Sequence, residues 1–457
     1  MRFRRTVDPA VRAVRSRSNT ELRLLVLAVL VVLCAYALVG LSQEGMLPAD
    51  LSVYAGTLAA MAVGAHLCSR RLARGADPLL LPLAFLLNGL GLAMVRRIDF
   101  AYSADDPGTP ALAPAQTVWT VVGLAAFCLT LAVVRDTRVL DSYRYLIGAC
   151  ALGLLVLPLV PGLGYSVRGA QLWVRLAGFT VQPAEFAKIG LTVFYASYLA
   201  EKRALLSEAT SRLGPLLVPP ARAFGPVLVA WLASLAVLVF QNDLGLSLLF
   251  FGAFVLLLYI ATGRLAYPTL GALLFAAGGL FAWSTLDVVR LRIAIWLDVW
   301  SLPDEGYQLA QSLFALGTGG MLGVGWGQGR PDFIPDVHTD FIFAAFGEEA
   351  GLVGTTALLL CYFLIVGRGF ATTLRCRDDF EALLGAGLTV LFGLQVFVIL
   401  GGVTRLIPLT GLTLPFVSYG GSSLVANYVL VALLLRLSAN QPRPARRRAA
   451  AHAAGTA

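Results

Sequence analysis

The sequence predicts an all-α polytopic membrane protein of about twelve transmembrane helices, with one large extracellular loop before residue 340. Three observations carry this. Hydrophobic residues make up 58% of the 457, charged ones only 13%, and mean hydropathy is +0.79; soluble domains hold about 45–50% apolar and about 25% charged residues. Apolar runs able to cross the roughly 30 Å hydrocarbon core recur along the chain. Basic residues gather in alternate connections, the pattern that sets membrane orientation.

The runs lie near 23–42, 51–69, 78–95, 117–134, 144–161, 184–200, 223–240, 244–262, 266–285, 341–366, 382–403 and 421–437. Six regions follow. Residues 1–22 form a basic N-terminus, and 23–95 hold the N-terminal extra helices and the first core span. Core helices occupy 117–285, the outer loop 286–340, the C-terminal helices 341–437, and a basic tail 438–457. The run after Arg23 follows Arg2, Arg4, Arg5, Arg12, Arg15 and Arg17, but no small-residue cleavage site succeeds it, so it reads as a first span and not a signal peptide. An even number of spans places both termini on one side. Arg70, Arg71, Arg74, Arg135, Arg138, Lys202, Arg203, Arg375, Arg377 and the tail arginines share that side, which is therefore expected to be cytoplasmic. The net charge of +9 is spread over these loops. That distribution points to membrane lipids as partners and away from nucleic acid. The six cysteines have no metal-like spacing.

Polar residues within this apolar background mark places of interest. His66 and Asn88 are isolated insertions, more often structural than catalytic. The outer segment 162–183 carries Trp173 and Phe179, which suit an interfacial helix or turn. Pro183 opens a helix on which Glu185 and Lys188, three residues apart, share a face; a structural ion pair and a cavity lining are both open. The connection 201–222 reads as a surface hairpin, and Asp243 as a helix cap. The long stretch 286–340 includes an amphipathic piece with Arg292, a turn at 303–306, a short helix 307–317, and glycines 319, 320, 323, 325, 327 and 329. Such glycines admit flexibility or close backbone approach to a ligand. The irregular segment 404–420, with Arg405 and Ser418, must be buried in protein or face a cavity.

His338-Thr339-Asp340-Phe341 stands where this loop enters an apolar helix. Asp340 is either an N-cap or a positioned carboxylate that takes a proton from an acceptor hydroxyl. Glu348, eight residues on and about 12 Å along a helix, reads as too deep to be its partner. No P-loop, dinucleotide fingerprint or Ser-His-Asp order is present. An enzyme acting on a lipid-linked substrate and a transporter with broken helices both remain.

The motifs GYQxxQS (306–312), GGxxGxG (319–325), FIPxVHTDFIFAxFGEExGLVG (333–354), QPAEFAK (182–188) and LPxVSYGGSS (414–423) resemble those of the SEDS family of shape, elongation, division and sporulation proteins. The likeness runs over about 117–437 and implies a core of ten spans preceded by two more. It implies a peptidoglycan glycosyltransferase of the bacterial cytoplasmic membrane that polymerises lipid II, paired with a class B penicillin-binding protein. A lipid II flippase is the alternative from another class. The run from Gly319 to Trp326 and the N-terminal extension favour the RodA-type branch over the FtsW-type division branch. The resemblance makes Asp340 the catalytic residue. It makes Glu185, Lys188, Trp173, Arg292, Gln308, Gln311, Ser312, His338, Thr339, Arg405 and Ser418 the expected substrate-binding set. The leaving pyrophosphate would be balanced by Lys188, Arg292 or Arg405, or by a divalent cation, Mg or Mn, the one cofactor left open. Leu172 departs from the family's usual Arg, with Arg175 nearby.

Overall fold

The computed structural model describes residues 9–105, 108–167, 170–176, 179–207, 211–213, 216–218, 221–241 and 243–440. The chain is a helical bundle: α1 (Pro9–Glu44), α2 (Leu51–Leu72), α3 (Leu80–Asp105), α4 (Ala113–Val133), α5 (Arg138–Ser142), α6 (Arg144–Val156), α7 (Pro183–Ser207), α8 (Ala221–Phe240), α9 (Leu244–Thr262), α10 (Ala266–Thr285), α11 (Asp287–Leu297), α12 (Pro303–Gly319), α13 (Ile342–Thr373), α14 (Asp379–Val403) and α15 (Gly421–Ala439). Among the described residues, nine helices are long and apolar enough to cross a membrane: α1 from Ser16, α2, α3, α4, α9, α10, α13, α14 and α15. The three other expected spans coincide with α6, α7 and α8. Arg144–Leu159 and Leu228–Phe240 are shorter apolar helices, and α7 carries the charges of Glu185 and Lys188.

Contacts between connections sort them into two ends. At one end, Arg17 donates to the Gly75 carbonyl and the Asp77 amide to Ser438, so both terminal helices meet the same link. Arg368 pairs with Asp77, and Arg203 with Asp379 at 2.6 Å, at that end too. At the other end lie the α1–α2 turn, segment 162–183, the 286–340 stretch and 404–420. The Arg and tail residues outside the described range, including Arg2, Arg4, Arg5 and Arg446 to Arg448, add nothing to this assignment.

Segment 162–183 is not a helix. It is a three-stranded antiparallel sheet of β1 (Gly164–Val167), β2 (Ala170–Leu176) and β3 (Phe179–Val181). The period-2 alternation of Gln171, Trp173 and Arg175 with Leu172 and Val174 explains it: Val174 is buried, Trp173 sits opposite Tyr165, and the Arg175 guanidinium lies 3.9 Å from the Tyr165 ring centre. The expected hairpin in 201–222 is present as β4 (Ser211–Leu213) and β5 (Leu216–Val218). The expected turn at 303–306 is instead the first turn of α12, with Pro303 in the opening turn and Asp304 and Glu305 beside it. Proline without an N–H and acids near the positive helix end suit that start.

The glycine run has a different role from the one anticipated. Helix α13 breaks at Gly351, whose φ of 66° and ψ of −168° are not helical. A break leaves carbonyls and amides without helical partners, and segment 320–325 supplies them. The Val324 and Gly325 amides donate to the Glu348 and Glu349 carbonyls at 2.9 and 3.1 Å, and the Leu352 and Val353 amides donate to Gly320 and Met321 at 2.9 and 3.1 Å. A Cβ on Gly323 would lie 2.1 Å from the Glu349 carbonyl oxygen. Glycine here lets backbone approach backbone.

Candidate active site

Three elements converge on Asp340: the 336–341 turn, α11 and the 404–420 segment. The turn is tight, with the Thr339 and Asp340 amides both donating to the Asp336 carbonyl. Helix α13 has Phe341 at its N-cap and no side-chain capping bond, so the cap reading of Asp340 does not describe this structure. Its half-buried carboxylate lies 3.6 Å from where a Cβ on Gly411 would stand, and Gly411 has φ +74°. Facing it is Arg292, whose Nη1 donates to the Leu409 and Thr410 carbonyls at 3.2 and 3.3 Å. Burial lowers the Arg292 pKa, while the fields of Asp243 and Asp340 act in the opposite direction and favour its charge.

The neighbours of Asp340 are held by 404–420. The Ser418 hydroxyl donates to the Thr339 carbonyl and accepts from the Leu414 amide at 2.9 Å. The Tyr419 amide donates to the His338 carbonyl at 2.8 Å. His338 Nδ1 lies 3.2 Å from the Tyr102 hydroxyl, with its ring edge-on to Tyr102 and Tyr419. Gln308 donates to the Pro335 carbonyl at 2.7 Å and ties α12 to the same turn.

The expected substrate-binding set therefore divides. Arg292, His338, Thr339 and Gln308 come together around the turn that carries Asp340. Ser418 is only 4% exposed and already bonded, so it positions the turn. Ser312 is wholly buried and donates to the Leu309 carbonyl within α12. Gln311 is half-buried, with no side-chain hydrogen bond among the described residues. Trp173 stands on the sheet with Tyr165. Arg405, with φ 59°, spends its Nε and one terminal nitrogen on the Trp296 and Leu297 carbonyls at the end of α11, where a cation answers the negative helix end.

Glu185 and Lys188 are buried to 2% and 1% exposure. Lys188 Nζ donates to Glu185 at 2.6 Å and to Gln395 Oε1 at 2.8 Å, and Gln395 Nε2 donates onward to the Thr413 carbonyl at 2.9 Å. Lys188 also lines a narrow crevice with Thr192, Tyr195, Phe254 and Leu391, and the pair reaches the site through Gln395 and segment 404–420. Asp243 caps α9 by accepting from the Leu246 amide at 2.8 Å. Burial pushes its pKa up to about 6, against the pull of the Leu246 amide and Arg292; Glu185 adds to the rise.

Sequence reasoning missed Gln395, Tyr102 and Arg97. A lone glutamine in the apolar run of α14 was the available signal for the first. Arg97 is buried in α3. It pairs with Glu349 at 2.8 Å and donates to the Gly329 carbonyl at 2.6 Å. Among the described residues no group of three or more His, Cys, Asp or Glu side chains is placed to hold a metal ion. A divalent cation at Asp340 would take its other ligands from phosphate oxygens and water, as Mg does.

A multi-span bundle with a positioned, half-buried carboxylate at one end defines a membrane-embedded protein. Comparison with known proteins gives the family. The profile of the FtsW/RodA/SpoVE family, described as cell cycle proteins, matches residues 78–443. The chain is similar to the peptidoglycan glycosyltransferase RodA of Mycobacterium tuberculosis, 46% identical over 95% of this chain and 93% of the relative. It is similar to stage V sporulation protein E of Bacillus subtilis, 32% identical over 79% and 96%. Among solved structures it resembles the Thermus thermophilus rod shape determining protein RodA, with TM-score 0.55, 28% identity and coverage of 80% and 98%. It also resembles a chain from a peptidoglycan synthase complex solved for its coordination of polymerization and crosslinking, with TM-score 0.64, 28% identity and coverage of 79% and 97%. The chain belongs to the FtsW/RodA/SpoVE family.

Proposed function

We infer that this member of the family works as a peptidoglycan glycosyltransferase with Asp340 as general base. The observation that carries the residue assignment is the state of Asp340: half-buried, not engaged as the α13 cap, and faced by Arg292. The substrate is lipid II. Asp340 takes the proton of the acceptor sugar's 4-hydroxyl as that oxygen attacks C1 of the donor. The C1–O bond to the pyrophosphate breaks, and the undecaprenyl pyrophosphate departs with the electron pair. Of the three cations expected near the leaving group, Lys188 is enclosed by Glu185 and Gln395, and Arg405 is spent on α11 carbonyls. Arg292 has Nε and Nη2 without a described hydrogen bond, and it takes that role.

By the excess of basic residues at the opposite end, the Asp340 end faces outward and both termini are cytoplasmic. A class B penicillin-binding protein is the proposed partner, supported by the complex from which one similar structure comes.

The test is the full chain in detergent, with the matched transpeptidase, incubated with lipid II. Glycan polymer is expected, with Asp340→Asn losing about 10²–10⁴-fold in rate and keeping its melting temperature and its partner. Full polymerisation by Asp340→Asn overturns the base assignment; absence of glycan with the unaltered chain overturns the enzyme reading in favour of transport.

A further inference from the structure

A cavity of about 410 Å³ opens at the end of the bundle opposite Asp340, between the α4–α5 link, the α13–α14 link and the end of α15. Its charged lining is Arg135, Asp136, Arg138, Arg377, Asp378 and Glu381. The carboxylates are built into the wall by one oxygen each. Asp136 Oδ1 accepts from the Arg138 amide at 3.0 Å, Asp378 Oδ1 from the Phe380 and Glu381 amides at 2.9 and 3.4 Å, and Glu381 Oε1 from the Thr137 hydroxyl. No ion pair among the described residues involves Arg135, Arg138 or Arg377, and all three are exposed. Apolar side chains rim the charges at the helix ends: Val133 is 71% exposed, Val139 51% and Leu374 85%.

We propose that this cavity is a headgroup site for a zwitterionic aminophospholipid, whose phosphodiester meets the arginines and whose primary ammonium meets the second oxygens of the carboxylates. A ligand of one sign would meet three like charges for every three opposite ones; a headgroup carrying both signs uses all six. Its size fits, since small-molecule sites span about 300–1,000 Å³. The apolar rim lies where spans α4 and α13 end, and gives the acyl chains a surface that a soluble phosphate would not need.

Native mass spectrometry of the full chain in detergent, with phosphatidylethanolamine, phosphatidylglycerol or phosphatidylcholine added, tests this. Phosphatidylethanolamine is expected to be retained about tenfold more tightly than either other lipid, a difference of about 1.4 kcal/mol. Arg138→Gln with Arg377→Gln is expected to weaken phosphatidylethanolamine and phosphatidylglycerol alike while lipid II polymerisation persists. Asp136→Asn, which keeps an oxygen for the Arg138 amide, is expected to shift the ratio toward phosphatidylglycerol, and it tests the ammonium half even if the double variant does not fold. Equal retention of all three lipids overturns the proposal. So does a ratio unmoved by Asp136→Asn, or complete displacement by soluble glycerophosphoethanolamine at equal concentration, which would mark a site for free phosphoesters.

Discussion

Asp340, Glu348 and Glu349 lie within ten residues of one another, yet the structure treats them oppositely. Glu349 is buried, receives Arg97 at 2.8 Å and accepts from the Gly327 amide at 2.9 Å. Glu348 accepts from the Arg330 amide at 3.0 Å. Both belong to the knot that repairs the break in α13. Asp340, two residues before the start of that helix, is left half-buried with an arginine facing it. Chemistry needs a carboxylate whose oxygen can reach a substrate proton; a carboxylate saturated by amides and a buried guanidinium has no such oxygen. Burial separates Asp340 from Glu348 and Glu349, where distance along the chain does not.

The largest effect that can break this comparison is at Glu349. Glu349→Gln leaves Arg97 buried without its anion, and breaking such a pair costs about 3–5 kcal/mol. The expected outcome is a clear fall in melting temperature in detergent, with residual polymerisation in whatever protein stays folded. Asp340→Asn is expected to do the reverse. A Glu349→Gln chain that melts normally and polymerises nothing would make Glu349 a participant in the reaction and end the distinction.

Asp243 offers a second, smaller contrast: a buried acid that caps a helix near the site. Its pKa rises from the ordinary 3.8 to about 6, mostly through burial. A raised carboxylate pKa means that the folded state prefers the protonated acid. Its stabilising contribution is therefore complete below about pH 4 and is lost as pH rises through about 6. Two pH units correspond to about 3 kcal/mol. Thermal melting from pH 4 to 7 is expected to show this decline in the unaltered chain and a flatter profile in Asp243→Asn. Identical profiles would mean that Asp243 is ionised in the fold throughout.

Much of this was legible in the sequence because lipid imposes a simple grammar: long apolar runs, charge asymmetry and isolated polar residues. Nine of the spans and the hairpin near 211–218 follow from it. Other features depend on partners far apart in the chain. Arg97 and Glu349 are 252 residues apart, so the buried pairing of Arg97 had no local sign. Lys188 and Gln395 are separated by 207, so the enclosure of Lys188 had no local sign. The glycines of 319–329 admit flexibility, ligand approach or helix repair equally well in one dimension. Only the break at Gly351 selects among them. The strands of 164–181 did carry a signal, the alternation around Trp173, but aromatic residues beside a membrane also suit an interfacial turn.

The smallest predicted effect sharpens the comparison from outside the family core. The profile match begins at residue 78, yet α1 reaches the α13 knot: Gln43 donates to the Gly327 carbonyl, and Gln328 donates to the Ser42 hydroxyl at 2.6 Å. Gly327 is the residue whose amide binds Glu349, so the N-terminal helix braces the structural carboxylates and not Asp340. Gln43→Ala removes one hydrogen bond from a partly exposed site, worth about 1 kcal/mol. The expected result is a slight fall in melting temperature, faster amide hydrogen exchange across 323–329, and a polymerisation rate within about twofold of the parent. A rate loss as deep as that of Asp340→Asn, at unchanged melting temperature, would place the brace in the reaction path and erase the line drawn between the two sets of acids.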